Sequence, residues 1–421
     1  MPGTLERPEL QRRALRVLIT AQVFGGAGFF LGLAVAVLLA HELTSNDAVV
    51  GIPVAIMVAA AALAARPMGA WMQRSGRRPA LAAGQLCGAA GAALVLVAAT
   101  LDSFALFCLA MAPFGVSNAS NLLTRYAASD LADPDRRAQA ISLLLLATAG
   151  GAILGPNLAE ASGGIGEWLA VSDKAAPFAL SVVMLSLSGV TLLAFLRPDP
   201  LLAARDLEAR GVEITQAPAG DAASSRLRVR DWPQMALVGA SAILLANLIM
   251  ASIMTVTPLH LDDAGQSLGV VGLVISLHVA GMFLPSPVSG ALADRYGRLP
   301  VIAAAGVALL LAGALAAPTS GHHALPVIAA LVLLGIGWNL GLVGGSALLT
   351  DSIPLRERAR TQGQADFAMG MAGALGAFAA GPVLHGGGFA LLGIAGAFLG
   401  AALILIAIRS GLFAPEPAEA G

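Results

Sequence analysis

The sequence predicts an all-α membrane protein with 12 transmembrane helices in two pseudo-symmetric six-helix bundles. Three observations carry that prediction. Of 421 residues, 57% are hydrophobic and only 12% charged; the apolar residues gather in windows long enough to cross a bilayer; and the second half of the chain repeats text from the first. A soluble chain carries about a quarter of its residues charged and needs that polar shell, so the water-soluble enzyme classes are excluded. The net charge of −1 gives no basis for a nucleic-acid partner. Cys87 and Cys108 both lie in apolar stretches without a C-x-x-C spacing, so neither a disulfide framework nor a zinc site is expected.

A hydrocarbon core about 30 Å thick takes roughly 20 residues of helix. Windows of that kind run over 17–40, 48–71, 79–100, 104–128, 138–159, 177–196, 234–261, 268–291, 300–317, 324–350, 362–384 and 388–408. The first is too long and starts too late for a cleaved signal, and Arg7, Arg12, Arg13 and Arg16 precede it as an anchor. Span two is followed by Arg74, Arg77 and Arg78, span four by Arg136 and Arg137, and span six by Arg197, Arg205 and Arg210. Arg295 and Arg298 follow span eight, Arg356, Arg358 and Arg360 span ten, and Arg409 span twelve; Arg66 and Arg125 sit near the same ends. Lys174, between spans five and six, is the exception. Because positive loops stay inside, this places both termini in the cytoplasm of a bacterial inner membrane.

The longest stretch without apolar character, 197–231, contains Pro198, Pro200, Pro218, Gly220 and the basic residues Arg226, Arg228 and Arg230. We read it as a linker rather than a lipid-binding or regulatory element. It divides the chain into an amino-terminal bundle (1–196), a cytoplasmic linker (197–233) and a carboxy-terminal bundle (234–421).

The repeat is legible residue by residue. Gly69-Ala-Trp-Met-Gln73-Arg74-Ser-Gly76-Arg77 follows span two, and Gly290-Ala-Leu-Ala-Asp294-Arg295-Tyr-Gly297-Arg298 follows span eight, 221 residues later. Leu122-Leu123-Thr124 returns as Leu348-Leu349-Thr350, and Gly155-Pro156 as Gly381-Pro382, both at an offset of 226. On these residues the chain resembles the major facilitator superfamily, whose cytoplasmic loop motif is G-x-x-x-D-R-x-G-R. The resemblance implies a secondary transporter that works by alternating access of two bundles around a midplane site. It assigns a gating role to Gly69, Arg74, Gly76, Arg77, Gly290, Asp294, Arg295, Gly297 and Arg298. Gln73 stands where the motif has its acid, so a charged latch is not expected in the first copy. Gly151-x-x-x-Gly155-Pro156 partly resembles the antiporter motif but is read as helix packing.

Polar residues within the spans are where the cargo must be sought, since hydrocarbon tolerates them only for a reason. They are Gln22, Asn118, Asn121, Asn157, Asn247, Asn339 and Asp366, with Glu160 near an outer end. Asp366 is the candidate for proton coupling, with pairing to the Arg356–Arg360 group as its structural alternative. Met250-x-x-x-Met254 in span seven and His278-x-x-x-Met282 in span eight each place two donors on one helix face. At 1.5 Å per residue, both sets lie about 15 Å deep. Thioether and imidazole donors without carboxylates suit monovalent copper. His41, His260, His322, His323 and His385 fall at outer ends, as a loose capture funnel or simply because neutral histidine is permitted there.

This Met/His pattern, with Thr257-Pro258 and Phe283-Leu284-Pro285-Ser286 around it, resembles the CcoA-like copper importers of the superfamily. The resemblance implies Met250, Met254, His278 and Met282 as ligands to a copper ion that is cargo rather than cofactor. The alternative is proton-coupled efflux of a small organic compound, with Asp366 as coupling acid and Trp338, Asn339 and Asn118 lining the cavity. A sensor without flux is the third reading. No G-x-x-x-x-G-K-[ST] nucleotide loop is present, so neither an enzyme nor an ATP-driven pump is expected. The partners implied are the bilayer and a small solute or copper ion, with the monomer as the working unit.

Overall fold

The structure is a computed structural model, and the residues it describes are 7–44, 49, 51–161, 171–212 and 229–412. Among them every regular element is helical: α1 (Arg7–Thr44), α2 (Ile52–Ser75), α3 (Arg77–Thr100), α4 (Phe104–Ala127), α5 (Arg137–Ala161), α6 (Ala176–Phe195), α7 (Pro200–Ala209), α8 (Gln234–Asp263), α9 (Leu268–Phe283), α10 (Ser286–Tyr296), α11 (Arg298–Ala316), α12 (Ala324–Ser352) and α13 (Leu355–Leu412). Two of these depart from one helix per crossing. Pro285 and Pro287 remove the backbone donors that would carry α9 into α10, so these two helices form one broken crossing over Val270–Tyr296. Conversely, the 58 residues of α13 would stretch about 87 Å as helix, far beyond one hydrocarbon core. Gly388, at φ 69° and ψ −179°, breaks it into the two crossings expected at 362–384 and 388–408. Eleven apolar segments thus supply twelve crossings.

The stretch read from sequence as linker opens with a helix. Asp199 caps α7 by accepting from the backbone of Leu201 and Leu202 at 3.0 and 3.2 Å, and Pro200 occupies its first position. Pro218, Gly220, Arg226 and Arg228 lie outside the described residues, as do the side chains of Gly155, Pro156, Asn157 and Glu160.

The helices cluster into two compact units. The first comprises 1–218 with 354–371, and the second 219–353 with 372–421. In the first, α2 and α3 pack on α4, and α5 and α6 pack on α1. An aromatic cluster fills its centre: Phe114 stacks on Phe29 at 5.7 Å and meets Phe178 edge-on at 5.6 Å. Gly32 makes room for it, since a Cβ there would stand 2.6 Å from Phe114. The second unit repeats the plan with α9, α11 and α8 on α12. Small residues close its contact between α11 and the last crossing: a Cβ on Gly306 would meet the Gly400 carbonyl at 2.8 Å, and one on Gly393 the Ala317 nitrogen at 2.6 Å.

Candidate functional site

The loop motifs both build ion pairs, a fully buried one in the first copy and two part-buried ones in the second. Arg77 donates from Nε and Nη2 to the two Asp130 oxygens at 2.8 and 3.1 Å, and from Nη2 to Gln362 Oε1 at 2.6 Å. Arg298 binds Asp351 at 3.0 Å and Asp294 at 2.9 Å. Asp130 and Asp351 were not singled out from the sequence, yet they stand 221 residues apart, as do Arg77 and Arg298. The structural repeat at these helix ends therefore runs at 221, and the Leu-Leu-Thr match at 226 is not its register. Gly76 and Gly297 are equivalent too, at φ 88° and 94°, a region that favours glycine. Arg74 and Arg295 are exposed. Gly290 is buried at the centre of α10.

Gln73, the departure from the motif, makes a latch of another kind. Its Oε1 accepts from the backbone nitrogens of Ala359 at 2.7 Å and Arg360 at 3.2 Å, while its Nε2 donates to the carbonyls of Leu355 at 3.2 Å and of Arg356. The side chain thus bonds two backbone nitrogens and two carbonyls of the opening turn of α13. A carboxylate only accepts, so an amide is the group that meets both demands. Gly69 lets the helices close to this range: a Cβ there would be 2.7 Å from the Ala359 carbonyl and 2.8 Å from Gly363 Cα.

Asp366 also lies in the part of α13 that belongs to the first unit, and its partner is Arg125 of α4. Arg125 Nη2 and Nη1 reach its two oxygens at 2.5 and 3.0 Å, and the Tyr126 hydroxyl donates to Oδ1 at 3.1 Å. Both side chains of the pair are 1% exposed. Arg125 was placed from sequence only near a span end; its pairing is long-range and has no local signature.

The interior amides divide into engaged and available. Gln85 donates to Asn121 at 2.8 Å, Asn121 to the Gly25 carbonyl at 3.3 Å, and Gln22 to Thr148 at 2.8 Å. Asn339 donates to the Met282 carbonyl and to Ser286, both at 2.7 Å, and accepts from Ser289 at 2.6 Å. It thereby secures the break between α9 and α10. Asn118 is its repeat equivalent, 221 residues earlier, and Ala65 and Met68 of α2 hold the positions of Ser286 and Ser289. Asn118 is half-buried and has no hydrogen-bond partner among the described residues. Trp338 donates to Asn247 at 3.0 Å and is itself buried, edge-on to Phe283.

The four donors assigned to copper are on two helices that touch each other little; α8 and α9 each pack on α12. His278 is buried, with Nδ1 2.8 Å from the Leu331 carbonyl. A carbonyl can only accept, so Nδ1 carries the proton and Nε2 holds the lone pair, which has no partner among the described residues. Met250, Met254 and Met282 are half-buried. Among the described residues no three histidines, cysteines or carboxylates form a cluster suited to a metal ion. Cys87 and Cys108 are free thiols.

A twelve-crossing, all-helical chain with paired loop motifs defines a membrane transporter built by duplication. The chain belongs to the Major Facilitator Superfamily, whose family model matches residues 17–268 and 239–420. It is 40% identical over 412 residues to the uncharacterized MFS-type transporter YddS of Bacillus subtilis (strain 168), covering 97% of this chain and 94% of that one. It is 31% identical over 381 residues to the riboflavin transporter RfnT of Brucella anthropi, covering 90% of each. Among solved structures, the human organic anion transporter MFSD10 superposes with a TM-score of 0.73 at 18% identity, over 94% of this chain and 99% of that one, a likeness of fold. The resemblance to copper importers finds no support among these relatives. The chain is a multi-pass membrane transporter of a small solute.

Proposed function

We propose that this chain carries an uncharged, hydrogen-bonding organic solute of riboflavin's class, and that both termini face the cytoplasm. The observation that carries this is Asn118, an amide in the middle of α4 with its donor and acceptor groups both unengaged. An imide or a ribityl hydroxyl offers the complementary pair of groups. The likeness to the Brucella riboflavin transporter supports the same class of cargo.

Membership of this superfamily supports alternating access, and α13 is the segment on which this reading places the gate. Its opening turns are held in the first unit by Gln73 and Arg125, while its continuation from 372 belongs to the second. In this reading the transport cycle includes release of this hold. Asp366 is the coupling acid of this reading: taking up a proton abolishes its charge and frees Arg125.

The test is uptake of radiolabelled riboflavin into proteoliposomes under an imposed proton gradient. Wild type should accumulate it, Asn118→Ala should raise KM about tenfold, and Asp366→Asn should lose gradient-driven accumulation. Absence of riboflavin uptake by wild type would overturn the substrate class.

Copper import is the second reading, favoured by the lone pair on His278 Nε2 one helical turn from Met282. Its ligands remain Met250, Met254, His278 and Met282. Equal accumulation of radiolabelled copper by wild type, Met254→Ala and His278→Ala would dismiss it.

A further inference from the structure

The helix α7 occupies a place that its sequence alone does not explain. Its capping residue Asp199 serves two helices at once. Oδ1 accepts from Leu201 and Leu202 at the start of α7, while Oδ2 accepts from the Arg78 backbone nitrogen, 2.7 Å away, at the start of α3. Gly76 precedes α3 and has no side chain with which to cap it. A Cβ on Gly76 would stand 2.5 Å from that carboxylate, so the glycine is needed for space as well as for its φ of 88°. The negative charge thus sits against two positive helix ends.

The next contact is made at the opposite kind of helix end. Arg205 Nη2 donates to the Gln73 carbonyl at 2.8 Å. Because α2 ends at Ser75, that carbonyl is one of the four left without an intrahelical donor, and a guanidinium is the charge favoured there. The apolar face of α7, Pro200, Leu201, Ala203 and Ala204, is buried beneath these two polar contacts. Gln73 is therefore held through its backbone by α7 and holds the opening turn of α13 through its side chain.

The second copy of the loop lacks this arrangement among the described residues. A Cβ on Gly297 would find only Pro300 Cδ, at 3.8 Å. The repeat that carries a neutral amide in place of the motif acid is the one that gains a stapling helix.

We propose that α7 is a staple that fixes the α2–α3 loop in the shape required for Gln73 to grip α13, with Asp199 and Arg205 as its positioning residues. The first stretch of the segment joining the two halves is then part of the gate, and whatever displaces α7 loosens the hold on α13. This rests on the alternating-access reading, but not on the identity of the cargo.

Hydrogen exchange of the purified full-length protein, with no solute added, tests the proposal. Arg205→Ala should speed exchange at least tenfold in peptides from 355–371, with other transmembrane peptides within twofold of wild type. Arg205→Lys, which retains a cationic donor, should restore most of the protection. Asp199→Ala should reproduce the effect by a separate contact. A helix that merely tidies the linker would raise exchange in 197–212 alone. Unchanged protection at 355–371 in both alanine variants, or a uniform rise across all helices, would overturn the proposal.

Discussion

Removing either partner of the Arg125–Asp366 pair should cost far more than removing both. The pair is 1% exposed on each side and joined by two bonds of 2.5 and 3.0 Å, with a third from Tyr126 at 3.1 Å. Asp366→Leu leaves a guanidinium in a dry site without its counter-charge, a loss of about 3–5 kcal/mol for a broken buried pair. Arg125→Met leaves the carboxylate with the Tyr126 hydroxyl alone, at a similar cost. In the double variant no charge is stranded, and apolar replacement of a buried pair is often close to neutral. What remains is the Tyr126 hydroxyl short of one acceptor, about 1 kcal/mol. The coupling energy of the cycle should therefore be about 3 kcal/mol or more, at the upper end for residues in contact. Equilibrium unfolding of the four proteins in detergent measures it. If Asp366→Leu stays within about 0.5 kcal/mol of wild type, a difference ordinary for an unimportant surface site, or if the double variant equals the sum of the singles, Arg125 does not hold Asp366 in this manner.

The repeat allows a matched comparison: Arg77→Gln should cost about 3–5 kcal/mol and Arg298→Gln about 1–2, because the first pair is wholly buried and the second is 11% and 24% exposed; chemical denaturation reads both. Gln73→Glu should weaken the gate more than Gln73→Ala, since alanine only removes the contact while glutamate keeps an acceptor against the Leu355 and Arg356 carbonyls. Proteolysis at the start of α13 should rank them in that order, and the reverse order would remove the amide contact. Gly69→Leu should separate α2 from α13 and lower transport at least tenfold, as even a Cβ would lie 2.7 Å from the Ala359 carbonyl.

Fold and site were legible to different depths for a physical reason. Crossing a bilayer imposes one period and one length on every helix, so composition and the arginine-lined loops were enough to count twelve crossings, including the two merged in α13. The loop motifs were legible because glycine spacing and charge are local. Their partners were not: Asp130 lies 53 residues from Arg77, Asp366 lies 241 from Arg125, and Gln73 bonds residues more than 280 positions away. Gln73 shows the consequence most clearly. Read by its type it was a lost acid and a weakened latch; read by its contacts it is a latch whose amide donates as well as accepts. The same logic separates Asn118 from Asn339. Identical residues at equivalent positions differ in their contacts: Ser286, Ser289 and the Met282 carbonyl engage Asn339, while Ala65 and Met68 stand where those serines would and Asn118 is left for the cargo we propose. Duplication supplies the scaffold twice, and the proposed gate and recognition residues are departures between the copies. A symmetrising variant, Ala65→Ser with Met68→Ser, should therefore engage Asn118 internally and weaken riboflavin binding as strongly as Asn118→Ala does. Unchanged affinity in that variant would show that Asn118 is not the contact.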